Sequence, residues 1–321
     1  MGETINPNIS NGESNIQFVA RPYVFVSGKG GVGKSLVAAA LASASVKIGR
    51  KTLLVETGDR SYYRDFLGLS AVDHVPRPSG LGFDVALWSG ESCLREYVLH
   101  LLKLERLYKI FFENKVMRAL VNVAPGLGEI AILGKITSGL RKVGPPMSYD
   151  TIVVDMPATG HALAMFRAPR GMADAIQIGP IALHSGEVDR LLRDPAVSGL
   201  VVVSLLEELP VAETKEFVHS VTSEFGMPVW VVANRKLEIE LSVDELEELK
   251  RTGAGEFADY AGGIASQVRT QDEQLAVLEK EFGSVSAGGH RIAVIPRLFS
   301  MDPRQMIARA EEALRALWTR S

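Results

Sequence analysis

Cysteine is almost missing from this chain: of 321 residues only Cys93 carries a thiol. One thiol cannot close an intrachain disulfide or build a Cys-x-x-Cys metal site, so a cysteine-rich metal centre within one chain is excluded and a reducing, cytoplasmic setting is expected. A field of one sign is missing too, since the formal net charge is only −3. Unspecific binding to nucleic acid or to an anionic membrane would need a local basic patch, and none stands out. No apolar run reaches the length of a membrane span, and the opening Met1-Gly2-Glu3-Thr4-Ile5-Asn6-Pro7 lacks the basic and apolar parts of a signal peptide. What remains, at 46% hydrophobic, is enough apolar material for a sizeable core in one large or two modest soluble domains.

Residues 1 to about 20 are rich in Asn, Ser, Gly and Glu, which bury too little apolar surface to offset the entropy of ordering; a flexible tail is expected there. Short β-branched runs bounded by turn residues then recur at Tyr23–Ser27, Thr52–Glu56, Thr151–Asp155, Leu200–Ser204, Val229–Ala233 and Arg291–Ile295. These read as buried parallel strands. Between them lie stretches of helical period, such as Ser35–Ile48 closed by Gly49, Ala212–Phe225 closed by Gly226, and Pro303–Trp318. The alternation predicts an α/β fold with a doubly wound, mostly parallel sheet. Residues 91–143 break it: they carry helical periodicity, no convincing strand and an interruption at Pro125-Gly126. An inserted helical subdomain is expected there, dividing the main domain into residues 21–90 and 144–321. Its apolar positions, from Leu101 to Val121, outnumber one helical stripe; they either pack on each other and the sheet or form a groove for a partner.

The strongest chemical signal follows the first strand. Gly28-Lys29-Gly30-Gly31-Val32-Gly33-Lys34-Ser35 satisfies G-x-x-x-x-G-K-S/T between a strand and a helix, where a phosphate-binding loop requires it. Glycines let backbone N–H groups turn inward without a Cβ, making a concave nest at the positive end of the next helix. Lys34 then reaches the β- and γ-phosphates of a nucleotide, and the Ser35 hydroxyl is a ligand for Mg²⁺. Asp155, closing the buried strand Thr151–Asp155, is the second candidate Mg²⁺ ligand, acting through water.

Lys29, one residue after the first glycine, gives the loop the form GKGGVGKS, which resembles the deviant P-loop lineage of MinD, ParA, the nitrogenase iron protein and ArsA. Asp155-Met-Pro-Ala-Thr159-Gly160-His161-Ala-Leu163 resembles the D-x-x-P-T-G-H-T-L switch of the ArsA and tail-anchored-protein-targeting ATPases, with Pro and Ala exchanged. Further segments fall in the same order: Ala124-Pro-Gly-Leu-Gly-Glu129, Glu207-Glu-Leu-Pro-Val-Ala-Glu213-Thr214, Asn234 after a strand, and Pro296-Arg297-Leu298. The resemblance covers residue 22 to the end.

It implies a Mg²⁺-dependent ATP-binding homodimer that hydrolyses ATP and moves a hydrophobic protein client, with at most transient membrane association through that client. Lys29 is then the lysine that crosses the two-fold interface to the partner's phosphates. Thr159 and Gly160 sense the γ-phosphate, Asn234 reads the adenine edge, and Pro296 and Arg297 enclose the base. His161 is a hinge residue or a base.

Two departures limit the transfer. The family's switch I carboxylate falls on Gly58, so its work passes to Asp59, one residue late, or the protein hydrolyses slowly as a nucleotide-gated scaffold. Glu56 ends the same strand and serves Mg²⁺ or the strand's own turn. Arsenite capture needs clustered thiolates and a shared zinc site needs Cys-x-x-Cys, so Cys93 alone argues against both. A ParA- or MinD-like positioning ATPase is the other alternative. The C-terminal pattern Met306, Ile307, Ala310, Leu314, Leu317 and Trp318 suits packing on the sheet better than anionic lipid, because its polar face mixes Arg309 and Arg315 with Glu311 and Glu312.

Overall fold

The computed structural model describes residues 18–102, 126–176, 180–253, 255–283, 292–299 and 302–317. Its strands are β1 (Tyr23–Gly28), β2 (Thr52–Thr57), β3 (Arg77–Pro78), β4 (Asp84–Trp88), β5 (Thr151–Asp155), β6 (Ser198–Leu205), β7 (Val229–Lys236) and β8 (Ile292–Pro296). They form one sheet in the order β3-β4-β2-β5-β1-β6-β7-β8. Every neighbouring pair is parallel except β3 with β4. The chain steps from β1 over β5 to reach β2, and later from β5 over β1 to reach β6. The loop after β1 therefore leaves the sheet where the winding reverses, the place where open α/β sheets bind ligands.

The helices are α1 (Lys34–Lys47), α2 (Tyr62–Phe66), α3 (Gly90–Leu102), α4 (Leu127–Ile136), α5 (Ser138–Arg141), α6 (Thr159–Ala175), α7 (Pro180–Arg193), α8 (Glu208–Phe225), α9 (Val243–Thr252), α10 (Glu256–Phe282) and α11 (Pro303–Leu314). Alternation along the strands divides the core in two. Phe25, Val55, Val154, Val202 and Val231 face α4, α6, α7, α8 and α10, which contribute Leu133, Phe166, Leu192, Val218 and Leu278. Val24, Val26, Leu54, Val153, Val201 and Val232 face α1, α2 and α11. Because both faces are covered, the strands are apolar through their middles and polar mainly at their ends, as at Glu56 of β2 and Asp155 of β5. On α1 the run Val37–Ala42 is buried throughout, and its alanines let the helix lie close on the sheet.

The observed structure departs from expectation in two places. β4 escapes the pattern because Asp84-Val-Ala-Leu-Trp88 holds a single β-branched residue, Val85, where the strands that were expected hold two or more. The stretch expected as a tail ends sooner, since Phe18 and Val19 are buried and the Phe18 ring lies 4.1 Å from that of Trp230. Residues 1–17 lie outside the described residues. So do residues 103–125, which hold most of the apolar positions named for the insert. The bounds 91–143 for a separate subdomain stand as a proposal; α4 sends Leu133 and Ile136 into the sheet core.

Candidate functional site

The loop after β1 is shaped by two glycines that have no room for a side chain. A Cβ on Gly28 (φ +149°) would lie 2.1 Å from the Val203 carbonyl oxygen of β6, and one on Gly33 (φ +96°) would lie 2.3 Å from Nδ2 of Asn234. Gly30 and Gly31 differ: a Cβ there meets nothing within 4 Å, so these two face open space where a ligand or partner can approach. Gly28→Ala is therefore expected to destabilise the fold by about 2–4 kcal/mol, combining overpacking with a backbone that L side chains avoid. Gly30→Ala is expected to stay within about 0.5 kcal/mol of the parent. Urea midpoints of the two variants check this, and equal midpoints would refute it.

Asn234 ends up under the loop. It is 3% exposed, its Nδ2 donates to the Val32 carbonyl at 2.7 Å, and its Oδ1 accepts from the Arg235 N–H at 2.9 Å. The residue expected to read an adenine edge thus also braces the phosphate loop, with one Nδ2 proton left over. Lys34 Nζ donates to the Lys29 carbonyl at 3.2 Å, and burial lowers its pKa against the pull of Asp155.

Asp155 stands in register with Val26 of β1 and Glu56 of β2. Burial pushes its carboxyl up to about 6, opposed by hydrogen bonds from Ser35 and Tyr63 and by the charge of Lys34. The hydroxyl of Ser35 and the carboxylate of Asp155 therefore meet: two oxygen ligands of the kind a hard cation takes, beside the phosphate loop. This donor set fits Mg²⁺. Thr57 Oγ1 and Ser27 Oγ hold the surrounding backbone through the carbonyls of Asp155 (2.8 Å) and Pro157 (2.9 Å).

The structure places Glu56 in the turn. Its Oε2 accepts from Ser61 Oγ at 2.6 Å and its Oε1 from the Tyr62 N–H at 2.5 Å, so it caps α2. Gly58 turns the chain with φ +143°, and Asp59 lies exposed on the loop that follows. α6 begins at Thr159 without a side-chain cap, which leaves the first-turn N–H groups around the exposed Gly160 open to an anion. His161 is exposed and its Nε2 lies 3.2 Å from Glu129 Oε1, a contact between α6 and α4. Lys29 Nζ lies 2.7 Å from Glu213 Oε1 on α8.

A cleft of about 500 Å³ joins the loop to the far strands: Gly31, Gly33, Lys34 and Ser35 line one end, Asn234, Pro296 and Arg297 the other. Lys29, Asp59, Thr159 and Gly160 do not line it. Two lining residues had no sequence signal. Tyr62 comes from a five-residue helix, and Arg235 (φ +61°) is the extra residue where the β7–β8 pairing shifts from Asn234 to Lys236.

With this geometry in view, residues 21–182 match the family model for anion-transporting ATPases. The chain belongs to that family. It is 30% identical over 279 residues to the ATPase BagA of Mycobacterium tuberculosis, covering 80% of this chain and 77% of that one. A putative arsenical pump-driving ATPase of Halobacterium salinarum is 28% identical over 257 residues, 74% of this chain and 39% of that one. ATPase ASNA1 homolog 1 of Paramecium tetraurelia is 23% identical over 172 residues, 54% and 50% of the two chains. Membership of an ATPase family implies nucleotide binding, and the glycine loop after β1 lies within the matched residues 21–182. Among the described residues no helix is long and apolar enough to cross a membrane. Cys93 is buried, and burial pushes its thiol up to about 12, which makes it a core residue and not a thiolate ligand.

Proposed function

We propose that the protein is a Mg²⁺-dependent ATP hydrolase that works as a nucleotide-driven homodimer switch on a hydrophobic protein client. The observation that carries this reading is the placing of Ser35 and Asp155 side by side at the glycine-shaped loop, both within 3.0 Å of the Tyr63 hydroxyl, with Ser35 lining a cleft that runs to Asn234 and Pro296-Arg297. Bound Mg²⁺ would neutralise charge on the β- and γ-phosphates. Lys34 holds the same phosphates, the loop N–H groups cradle them, and Thr159 and Gly160 open α6 toward the terminal phosphate. Lys29 serves the partner subunit. Asp59 orients the attacking water once its exposed loop closes.

Between α3, α4 and α7, among Leu94, Leu127, Ile130 and Val188, lies an apolar cavity of about 140 Å³, a size that takes a single apolar side chain of a client. The reading keeps the expected cytoplasmic setting and any membrane contact transient and through the client. Arsenite is not proposed as substrate, since the one thiol is buried. The scaffold alternative draws on the exposure of Asp59 and on Gly58 in the place of the family's carboxylate.

Single-turnover phosphate release separates hydrolase from scaffold. Asp59→Asn is expected to bind Mg-ATP normally and to hydrolyse it roughly 10²–10⁴ more slowly, the usual worth of a positioned proton acceptor. Glu56→Gln, which loosens the cap of α2, is expected to cost far less. Hydrolysis at the parent rate by Asp59→Asn, with Glu56→Gln stalled, would reverse the two roles; a parent as slow as both variants would establish the scaffold.

A further inference from the structure

Tyr63 is the one aromatic hydroxyl at the phosphate loop that is wholly enclosed: it is 0% exposed, and its OH lies 3.0 Å from Asp155 Oδ2 and 2.9 Å from the Ser35 carbonyl oxygen. Its position is built. Glu56 is the last residue but one of β2, and its carboxylate reaches forward to accept from Ser61 Oγ and the Tyr62 N–H, while the Ser61 hydroxyl accepts from the Arg64 N–H at 3.1 Å. These bonds fix the start of α2, and the short helix then drives the Tyr63 ring into the core among α1 and the strands. A phenol has one proton to give. Of its two acceptors the carboxylate is the stronger, and a buried carboxylate oxygen without a donor would carry a desolvation cost.

We propose that Tyr63 is the positioning residue of the magnesium site: its hydroxyl occupies Oδ2 of Asp155, so that Oδ1 is the oxygen left, together with the Ser35 hydroxyl, to face the cation. The proposal rests on the Mg-ATP reading above and goes beyond it, because it makes the site's affinity for metal depend on a residue of switch I. The segment from Gly58 to Phe66 then carries two links to the nucleotide. Asp59 stands at its exposed start and Tyr63 at its buried end. Any movement of this segment that lifts Tyr63 also frees the carboxylate, so closure of the loop and grip on the metal rise together.

Tyr63→Phe removes the hydroxyl and keeps the ring. Hydrogen-bond partners of metal-binding carboxylates are worth 10- to 100-fold in metal affinity. The half-saturating Mg²⁺ concentration for tight ATP binding is therefore expected to rise about 10-fold or more, measured by fluorescence of an ATP analogue in a magnesium titration. ATP affinity in excess chelator is expected to stay within about 2-fold of the parent, because the phosphate loop itself is untouched. Manganese binding followed by electron paramagnetic resonance gives a second readout that needs no turnover. A parent that binds no nucleotide in either condition would sink the Mg-ATP reading. A parent that behaves as expected beside a Tyr63→Phe variant of unchanged Mg²⁺ dependence would overturn the proposal alone. So would a variant that loses affinity equally with and without magnesium, since Tyr63 would then be supporting the loop's fold and not the metal.

Discussion

Lys34→Ala is expected to weaken ATP binding by at least about 10²-fold. At the mouth of α1 the amine has, among the described residues, the Lys29 carbonyl as its one hydrogen-bond partner, and burial lowers its pKa against the pull of Asp155, so it stands ready for an anion. Charge-assisted hydrogen bonds contribute about 1.5–3 kcal/mol each, and losing two of them to phosphate oxygens corresponds to roughly 10²–10⁴ in affinity. The unliganded protein should tolerate the change. Its single hydrogen bond to a carbonyl is worth about 1 kcal/mol, and the buried Asp155 keeps the hydrogen bonds from Ser35 and Tyr63 when the nearby charge goes. Calorimetry on the folded variant measures the loss directly. An unchanged affinity, at an unchanged urea midpoint, would mean that the nucleotide binds somewhere other than the glycine loop.

The phosphate loop was legible in the sequence because glycine carries its meaning locally: Gly28 and Gly33 must be glycine for reasons of backbone angle, and the motif states their spacing. What those glycines touch was not legible. Gly33 is pressed against Asn234, about two hundred positions away in the chain, and no local pattern announces that the asparagine braces the loop. Buried parallel strands were legible because both faces are covered, which makes their middles runs of apolar, mostly β-branched residues. β4 was not, since Asp84-Val-Ala-Leu-Trp88 has a single β-branched residue and its partner β3 is only two residues long. Tyr63 was missed because its helix is short. A five-residue helix has no stripe to detect, and the tyrosine takes its meaning from the end of β5, which reaches it only through tertiary structure. Glu56 could be narrowed to two roles by its place at the strand end, and only the geometry of Ser61 and Tyr62 chose between them.

Lys29→Ala tests the assembly half of the proposed mechanism and is expected to have the largest effect on turnover. In the structure Lys29 is held by Glu213 at 2.7 Å, with both side chains about 40% exposed. A pair this open to solvent is worth at most about 1 kcal/mol, so it parks the lysine without committing it. A cation delivered to a transferring phosphoryl group across an interface is worth roughly 10³–10⁵ in rate, far more than the parking contact holds back. Lys29→Ala should therefore keep ATP affinity within a few-fold and lose turnover by about 10³-fold, the signature of an interaction made only in the transition state. Glu213→Gln is the matched control: breaking the parking contact from the other side should change turnover by less than about 5-fold, since the charge that matters is still present. Parallel losses of binding and turnover in Lys29→Ala would place the lysine on its own subunit's phosphates. A stalled Glu213→Gln would mean that the ion pair itself is part of the active arrangement, with Glu213 aiming the lysine and not merely storing it.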